Sequence, residues 1–271
     1  MLFFASKLKY IYIHKSLPMP ANIRSENINN SFFDGYYKDI WRHIFPEKIT
    51  QAEVNFIIEE AKLKPGEHVL DIMCGFGRHS LEFANRGINV LAVDNLPDYI
   101  NEIKEKAATK SLPVESIRTD ILEMQIDREF DAVICMGNSL QFFNEEDSIR
   151  ILSNISAHLK PGGKFFINTW SLAEIAVKNF KDKSWSRIGE LLFLTDSKFL
   201  FYPTRIETVS MIIPDKGERE EKKGIDFIYS ISELERMLNK TGFQLKEIYS
   251  IPGKKQFTVG EPRAYIVAEK L

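Results

Sequence analysis

The stretch Val69-Leu70-Asp71-Ile72-Met73-Cys74-Gly75-Phe76-Gly77-Arg78 constrains the fold of this chain more than any other. An apolar run with an acid near its tip gives way to a glycine-rich turn. Such a run reads as a buried strand, and the turn as the entry to a helix that presents backbone N–H groups to a nucleotide-like ligand. A second apolar run, Asn89-Val90-Leu91-Ala92-Val93, ends in Asp94. A carboxylate at the tip of a second strand is placed to accept hydrogen bonds from both hydroxyls of a ribose. Together these features predict an α/β sheet holding a ligand that carries a nucleoside.

Details of the turn narrow the ligand. A dinucleotide site wants G-x-G-x-x-G, whereas here the turn reads Gly75-Phe76-Gly77-Arg78-His79-Ser80, with serine in the third position. No Lys-Ser or Lys-Thr follows, so the loop is not a P-loop. The carboxylate of Asp71 would repel a pyrophosphate and attract an ammonium. S-adenosylmethionine fits: it has an amino acid head, a sulfonium and an adenosine, and no phosphate.

At this point the chain resembles the class I S-adenosylmethionine-dependent methyltransferases. The resemblance rests on Val69 to Ser80, Val93-Asp94, Arg118-Thr119-Asp120-Ile121, Phe130-Asp131-Ala132-Val133-Ile134 and Leu159-Lys160-Pro161-Gly162-Gly163-Lys164-Phe165, in that order, across roughly residues 50 to 170. Gly137-Asn138-Ser139 followed by Leu140-Gln141-Phe142-Phe143 is similar to a small-molecule subgroup that includes glycine and amino-sugar N-methyltransferases. The resemblance implies a doubly wound, mostly parallel, seven-stranded Rossmann-like sheet, its last two strands at one edge, and S-adenosyl-L-methionine as cofactor. It also implies that the N-terminal segment lies over the cofactor.

Composition bounds the alternatives. With 271 residues, 44% of them hydrophobic and 27% charged, the chain suits a soluble globular protein of one large domain with an insertion, or two small domains. A formal net charge of −2 gives no global basic field for nucleic acid or an anionic membrane. The two cysteines, Cys74 and Cys135, fall in the cofactor-strand motifs and read as reduced core residues, which points to a cytoplasmic setting. No metal-ligand spacing occurs, so no metal is expected. Residues 1–30 are expected to be a poorly ordered extension. Lysines break the apolar run of the first nineteen residues, which fits neither a signal peptide nor a membrane span. Met19 is an alternative start, and a peripheral amphipathic anchor a minor alternative.

Organisation follows from punctuation. Thr50-Gln51-Ala52-Glu53 has the form of a capping box and predicts a helix start there. Alternating strand and helix signals up to about Trp170 predict helices on both faces of a parallel sheet. Strands are expected near 115–118, 130–135 and 164–168, with helices over 97–108 and 147–159. Residues 185–229 carry β-rich runs at 191–195, 199–202, 206–213 and 225–229. These predict an antiparallel meander inserted as a substrate lid, with Asp196-Ser197 as one of its turns. Residues 31–184 and 230–271 then form the α/β domain. Its C-terminal part has a helix from Ser230 or Ser232 to a C′ glycine at Gly242, then strands at 243–249 and 264–268.

Candidate cofactor residues are Asp71 for the methionine ammonium, Cys74, Gly75 and Gly77 on the turn, and Arg78 for the methionine carboxylate or the surface. Asp94 and Asn95 are assigned to the ribose, Asp120 and the Ile121 backbone to adenine, and the carbonyl at Met136 to the ammonium. Tyr36, Tyr37 and Trp41 offer aromatic faces to a sulfonium or pack in the core; of these, Tyr37 and Trp41 are carried as cofactor candidates. Substrate candidates are Asn138, Ser139, Gln141 and Trp170. Arg205, Tyr229 and Arg263 would be either pocket residues of the lid or solvated. His79 reads as structural. No catalytic base is evident, and in-line methyl transfer does not need a nucleophilic residue. The expected partner is a small-molecule acceptor, an amine somewhat ahead of a hydroxyl, bound by a monomer or homodimer. Competing classes are a nicotinamide dehydrogenase, an RNA or protein methyltransferase, and a non-catalytic S-adenosylmethionine-binding protein.

Overall fold

The computed structural model describes residues 27–271. The expectations for the first 26 residues lie outside that range. Residues 27–30, which the sequence reading assigned to the extension, instead enter a 3-10 helix at Ile28–Ser31, capped by the Asn27 side chain.

The chain then runs α1 (Tyr37–Ile44), α2 (Glu47–Ala61), β1 (His68–Ile72), α3 (Arg78–Asn85), β2 (Asn89–Asp94), α4 (Pro97–Lys110), β3 (Val114–Arg118), β4 (Phe130–Cys135), α5 (Glu145–His158), β5 (Leu159–Thr169) and α6 (Ala173–Asn179). A second sheet follows: β6 (Lys183–Ile188), β7 (Leu191–Phe201), β8 (Thr204–Pro214) and β9 (Glu220–Phe227). The chain closes with α7 (Ile231–Lys240), β10 (Phe243–Ile251), β11 (Lys255–Gln256) and β12 (Ala264–Lys270).

The main sheet is doubly wound, in the order β11-β10-β12-β5-β4-β1-β2-β3. Strands β3, β2, β1, β4 and β5 are parallel, and β12 runs antiparallel to both of its neighbours. The sequence predicts seven strands; the eighth is the two-residue β11, which pairs with the bulged end of β10. Apolar side chains alternate between two cores. Leu70, Ile72, Phe165 and Ile167 face α5 and α7, while Val69 and Phe166 face Val54 and Ile57 of α2 and Phe83 of α3. Burial on both faces explains why the central strands read as largely apolar runs.

Strand order reverses between β1 and β4: the chain winds outward through β2 and β3, then returns to the other side of β1. A crevice opens at the carboxyl ends of the strands at such a point. The second sheet packs one face on α1, where Tyr37 and Ile40 meet Leu191 and Ile212. The apolar spacing Tyr37, Ile40, Trp41, Ile44 gives α1 the stripe for this contact.

Three local expectations change. Helix α2 starts at Glu47 behind Pro46, one turn ahead of the expected cap. Thr50 and Glu53 are inside the helix, their side chains committed to Arg78 and His79. Asp196-Ser197 is no turn. It continues β7, which pairs with β8 through Asp196 opposite Val209 and Ser197 opposite Thr208. The long hairpin keeps its ladder unbroken, and the Ser197 and Thr208 hydroxyls hydrogen-bond across it at 2.9 Å. The edge strand β6 went unread because its exposed Lys-Ser-Trp-Ser-Arg pattern carries little apolar signal. The helix after Ser230 has the expected reciprocal capping box.

Candidate active site

The crevice at the switch point is a cavity open to solvent, with about 980 Å³ of empty space when the solvent at its mouth is included. Asp71, Cys74, Gly75, Arg78, Asp94, Asn95, Asp120, Ile121 and Met136 line it, with Trp41 and Ser139. Three carboxylates, Asp71, Asp94 and Asp120, thus share one crevice. Gly77, Tyr37, Asn138, Gln141 and Trp170 are not in its lining.

Each acid is held differently. Asp94 closes the turn: Oδ2 accepts from Gly75 N at 2.8 Å and Oδ1 from Leu96 N at 3.0 Å. Burial raises its pKa, and the backbone donors of Leu96, Gly75 and Asn95 work against that rise. Asp71 is 1% exposed and accepts from Ser80 Oγ at 2.5 Å. Burial lifts its pKa to about 7, opposed by the Ser80 hydroxyl and the Arg78 charge. The serine in place of the third dinucleotide glycine thus serves Asp71. Asp120 is exposed at the mouth; its Oδ1 accepts from Leu122 N and its Oδ2 is unpartnered among the described residues.

Glycine conformation matters at two positions. Gly75 has φ 56° and open space where a Cβ would stand, so its backbone borders the cavity. Gly77 has φ 75°, and a Cβ there would lie 2.5 Å from Ile103 Cγ1. Close packing of the turn on α4, one layer behind the cavity, accounts for that glycine.

Arg78 is tethered rather than exposed. Its Nη1 donates to Glu53 Oε2 at 2.6 Å and to Thr50 Oγ1 at 2.9 Å, and its Cζ stands 4.6 Å from the centre of the Phe45 ring. Nη2 is buried without a partner. Glu53 also accepts from His79 Nε2 and Tyr265 OH, each at 2.8 Å. Burial alone would raise the Glu53 pKa; the His79 hydrogen bond and the Arg78 guanidinium outweigh it and bring the carboxyl to about 2. Burial and the Arg78 charge hold His79 down to about 4. His79 is therefore a neutral donor to an ionised Glu53, in keeping with its structural reading. Burial raises the pKa of both thiols, that of Cys135 to about 12, so neither is a thiolate.

The N-terminal segment straps the cavity. Asn27, Asn29, Asn30 and Phe33 line it. Asn27 Nδ2 donates to the Phe142 carbonyl, Asn95 Nδ2 to Asn30 Oδ1, and Tyr99 OH to the Phe33 carbonyl. Asn29 exchanges two hydrogen bonds with the Ile225 backbone of β9. The strap thereby ties the second sheet to the cavity wall.

Most expected substrate residues are arranged otherwise than the sequence implies. Asn138, at φ 72°, is 1% exposed. Its Oδ1 accepts from Thr169 Oγ1, Trp170 N and Ser171 N, while Nδ2 donates to Ser171 Oγ and Asp226 Oδ1. Every donor and acceptor of its amide is used within the protein. Gln141 is the opposite case: it is fully buried, yet neither Oε1 nor Nε2 has a partner. Unpaired buried amides cost about 1–3 kcal/mol per group unless a ligand or water completes them. Trp170 packs against Trp41 in a tilted ring pair with centroids 5.8 Å apart, and Arg263 lies over both Trp170 and Phe45. Tyr37 packs among Phe32, Phe33, Trp41 and Phe193. Tyr229 OH donates to the Phe143 carbonyl, and Arg205 pairs with Glu207, so neither lines the main cavity. The sequence reading missed Glu53 as the anchor of Arg78, the asparagines of the strap, and Asp226. An acid between Ile225 and Phe227 in the otherwise apolar run 225–229 was the available signal for the last.

Comparison with known proteins agrees with this architecture. Residues 69–163 match a methyltransferase domain family. A glycine/sarcosine N-methyltransferase of Aphanothece halophytica is 28% identical over 168 residues, 60% of this chain and 63% of that protein. A ubiquinone biosynthesis O-methyltransferase of Coxiella burnetii is 30% identical over 177 residues, 64% of this chain and 70% of that protein. The chain spans between 44% and 63% of the length of the glycine-methylating relatives it matches. Among solved structures, an S-adenosylmethionine-dependent methyltransferase from Clostridium acetobutylicum has a TM-score of 0.75 at 19% identity, covering 86% of this chain and 96% of that one. That likeness is one of fold.

Proposed function

This chain belongs to the S-adenosylmethionine-dependent methyltransferases, and on that premise we propose that it methylates a small-molecule acceptor, an amine in preference to a hydroxyl. The observation carrying the reading is the cavity itself, whose lining brings together Asp71, Asp94 and Asp120 and in which Arg78 is the one permanent positive charge among the described residues.

The residues present suit S-adenosylmethionine. Asp94 takes the ribose hydroxyls with the lone pairs left beside its two backbone bonds. Asp120 takes the adenine amino group through its free oxygen, next to the Ile121 backbone. Asp71 faces the methionine ammonium, with the Met136 carbonyl as a second acceptor. The buried, unpartnered Nη2 of Arg78 suits the methionine carboxylate, and Glu53 keeps that guanidinium in place. A pyrophosphate would meet three carboxylates and a single arginine.

When bound, the cofactor supplies an electrophilic methyl group. The protein has only to align the acceptor and exclude water, effects worth on the order of 7–11 kcal/mol with no covalent step. The strap over the cavity, tied to β9, performs the exclusion. Ser139, which lines the cavity, stands as an acceptor contact in this reading; Gln141 lies behind the lining, its amide unsatisfied among the described residues. Trp41 and its ring neighbours Tyr37, stacked on it, and Trp170, tilted against it, offer aromatic faces to a cation. The glycine/sarcosine relatives favour an amine, and the ubiquinone-pathway relative keeps a hydroxyl acceptor as the competing case.

Calorimetric titration of the full chain with S-adenosylhomocysteine and with NADH tests the cofactor. Heat with the first alone is expected, and heat with NADH alone would overturn the reading. Single-turnover transfer of labelled methyl to a panel of amines and phenols then tests the acceptor class.

A further inference from the structure

Asp226 is a carboxylate on β9 with no part in holding a nucleoside. Its Oδ1 accepts from Asn138 Nδ2 at 2.8 Å and from Ser171 Oγ at 3.4 Å. Its Oδ2 has no hydrogen-bond or ion-pair partner among the described residues. The side chain remains partly accessible.

Three independent contacts set Asp226 beside the cavity. Asn138, which grips it, lies between Gly137 and Ser139, both in the lining. Ile225, the preceding residue, is held on both backbone polar atoms by Asn29, also in the lining. Tyr37 feels the Asp226 charge, which together with burial raises the pKa of its phenol. The Tyr37 ring stacks on the lining residue Trp41 at 6.0 Å and 24°. The 3-10 helix that carries Gln141 packs on β9. Next to the cavity lining, Asp226 Oδ2 and the Tyr37 hydroxyl make no hydrogen bond among the described residues, and both amide atoms of the buried Gln141 are unpartnered among them. Folded proteins retain such groups where a ligand or water completes them.

We propose that Asp226 binds the ammonium group of the acceptor and takes the proton whose removal frees the nitrogen lone pair. This rests on the methyltransferase reading and names the acceptor as a small cationic amine. One N–H bond of the ammonium breaks, its electron pair stays on nitrogen, and the proton moves to Asp226 Oδ2. An ion pair becomes a neutral amine beside a neutral carboxylic acid. The amine is then competent to receive the methyl group that the cofactor supplies. The methylated product leaves as a cation, and Oδ2 returns its proton to solvent, so one proton is released per turnover.

The environment suits this exchange. In water a carboxylate is far too weak a base for an ammonium. Burial disfavours both charged forms, raising the acid and lowering the amine toward each other. Burial lifts the Asp226 pKa to about 6 against the lowering effect of Ser171 and Asn138. The groups facing it are Asn138 and Ser171, from the tips of β4 and β5, and Tyr37 from α1. Only Tyr37 of these titrates, and it stays neutral throughout the relevant range. A neutral hydroxyl acceptor would form no ion pair with Asp226 and would shift its titration little. Asn138 is a positioning residue: its saturated amide fixes Oδ1 and leaves Oδ2 for the amine.

The test uses the full chain, labelled with ¹³C at the aspartate carboxyls and saturated with S-adenosylhomocysteine. Loss of one resonance in Asp226→Asn assigns the signal. Ethanolamine, glycine and glucosamine are each titrated against ethylene glycol, glycolate and glucose. The expected result is a midpoint near pH 6 that at least one amine lowers by a pH unit or more and no hydroxyl counterpart moves. Asp226→Asn should weaken that amine at least thirtyfold and leave S-adenosylhomocysteine affinity within twofold. If no amine moves the resonance in protein that binds S-adenosylhomocysteine, or if Asp226→Asn binds the amine normally, the proposal falls while the methyltransferase reading stands. Failure of the wild type to bind S-adenosylhomocysteine would remove both.

Discussion

Replacing Glu53 with glutamine tests how Arg78 is held. The amide keeps the volume of the carboxyl but removes the anion that faces Arg78 at 2.6 Å, in a pair whose side chains are 9% and 1% exposed. The guanidinium would retain Thr50 and the face of Phe45, with no counter-charge and with Nη2 still unpartnered. Breaking one side of a buried pair leaves an uncompensated charge and typically costs about 3–5 kcal/mol. Titration gives a second route to the magnitude. The Glu53 pKa lies below its unfolded value, at about 2 against 4.5. Its contribution is therefore complete above the unfolded pKa and is lost as pH falls through the folded one. A displacement of that size corresponds to roughly 3 kcal/mol, at about 1.4 kcal/mol per pH unit. Urea unfolding followed by tryptophan fluorescence should show Glu53→Gln less stable by about 3 kcal/mol at pH 7. The deficit should shrink between pH 4.5 and 2 as the wild type loses the same charge. A deficit below about 1 kcal/mol at pH 7, or one that does not change with acidification, would refute the account of Arg78 as a tethered, counter-charged group.

Further outcomes follow from the same geometry. Asp94→Ala should weaken S-adenosylhomocysteine about 100-fold or more by calorimetry, since two hydrogen bonds to a charged acceptor are worth about 1.5–3 kcal/mol each; Asp94→Asn, which keeps one acceptor, should lose less. Because burial sets the Asp71 pKa at about 7 and an ammonium ligand favours the ionised form, affinity should fall about tenfold per pH unit below neutrality, and a calorimetric pH series on Asp71→Asn should lack that slope. Gly77→Ala places a Cβ 2.5 Å from Ile103 Cγ1 at φ 75°; left-handed strain and overpacking together should cost about 2–4 kcal/mol in denaturant unfolding, whereas Gly66→Ala, with φ 91° and open space, should show the strain cost alone.

What the sequence determined by itself is the part of the protein written in short range. Largely apolar runs at 69–72, 90–93 and 130–135, broken only by Asp71 and Asp131, read as strands buried on both faces, and the glycine turn beginning at Gly75 follows the first of them. Asp71, Asp94 and Asp120 lie at or just past the carboxyl ends of β1, β2 and β3, so parallel winding brings them to one edge. The partners that finish the site are far apart along the chain, and only tertiary packing decided them. Glu53 meets Tyr265 across 212 residues, and Asn138 meets Asp226 across 88. Local pattern made Glu53 a helix-capping residue and Asn138 a substrate contact, because periodicity cannot see a side chain's final neighbour. A buried polar atom takes whichever partner the fold brings within about 3 Å, and that choice is made once the sheet, the strap and the second sheet have closed on one another.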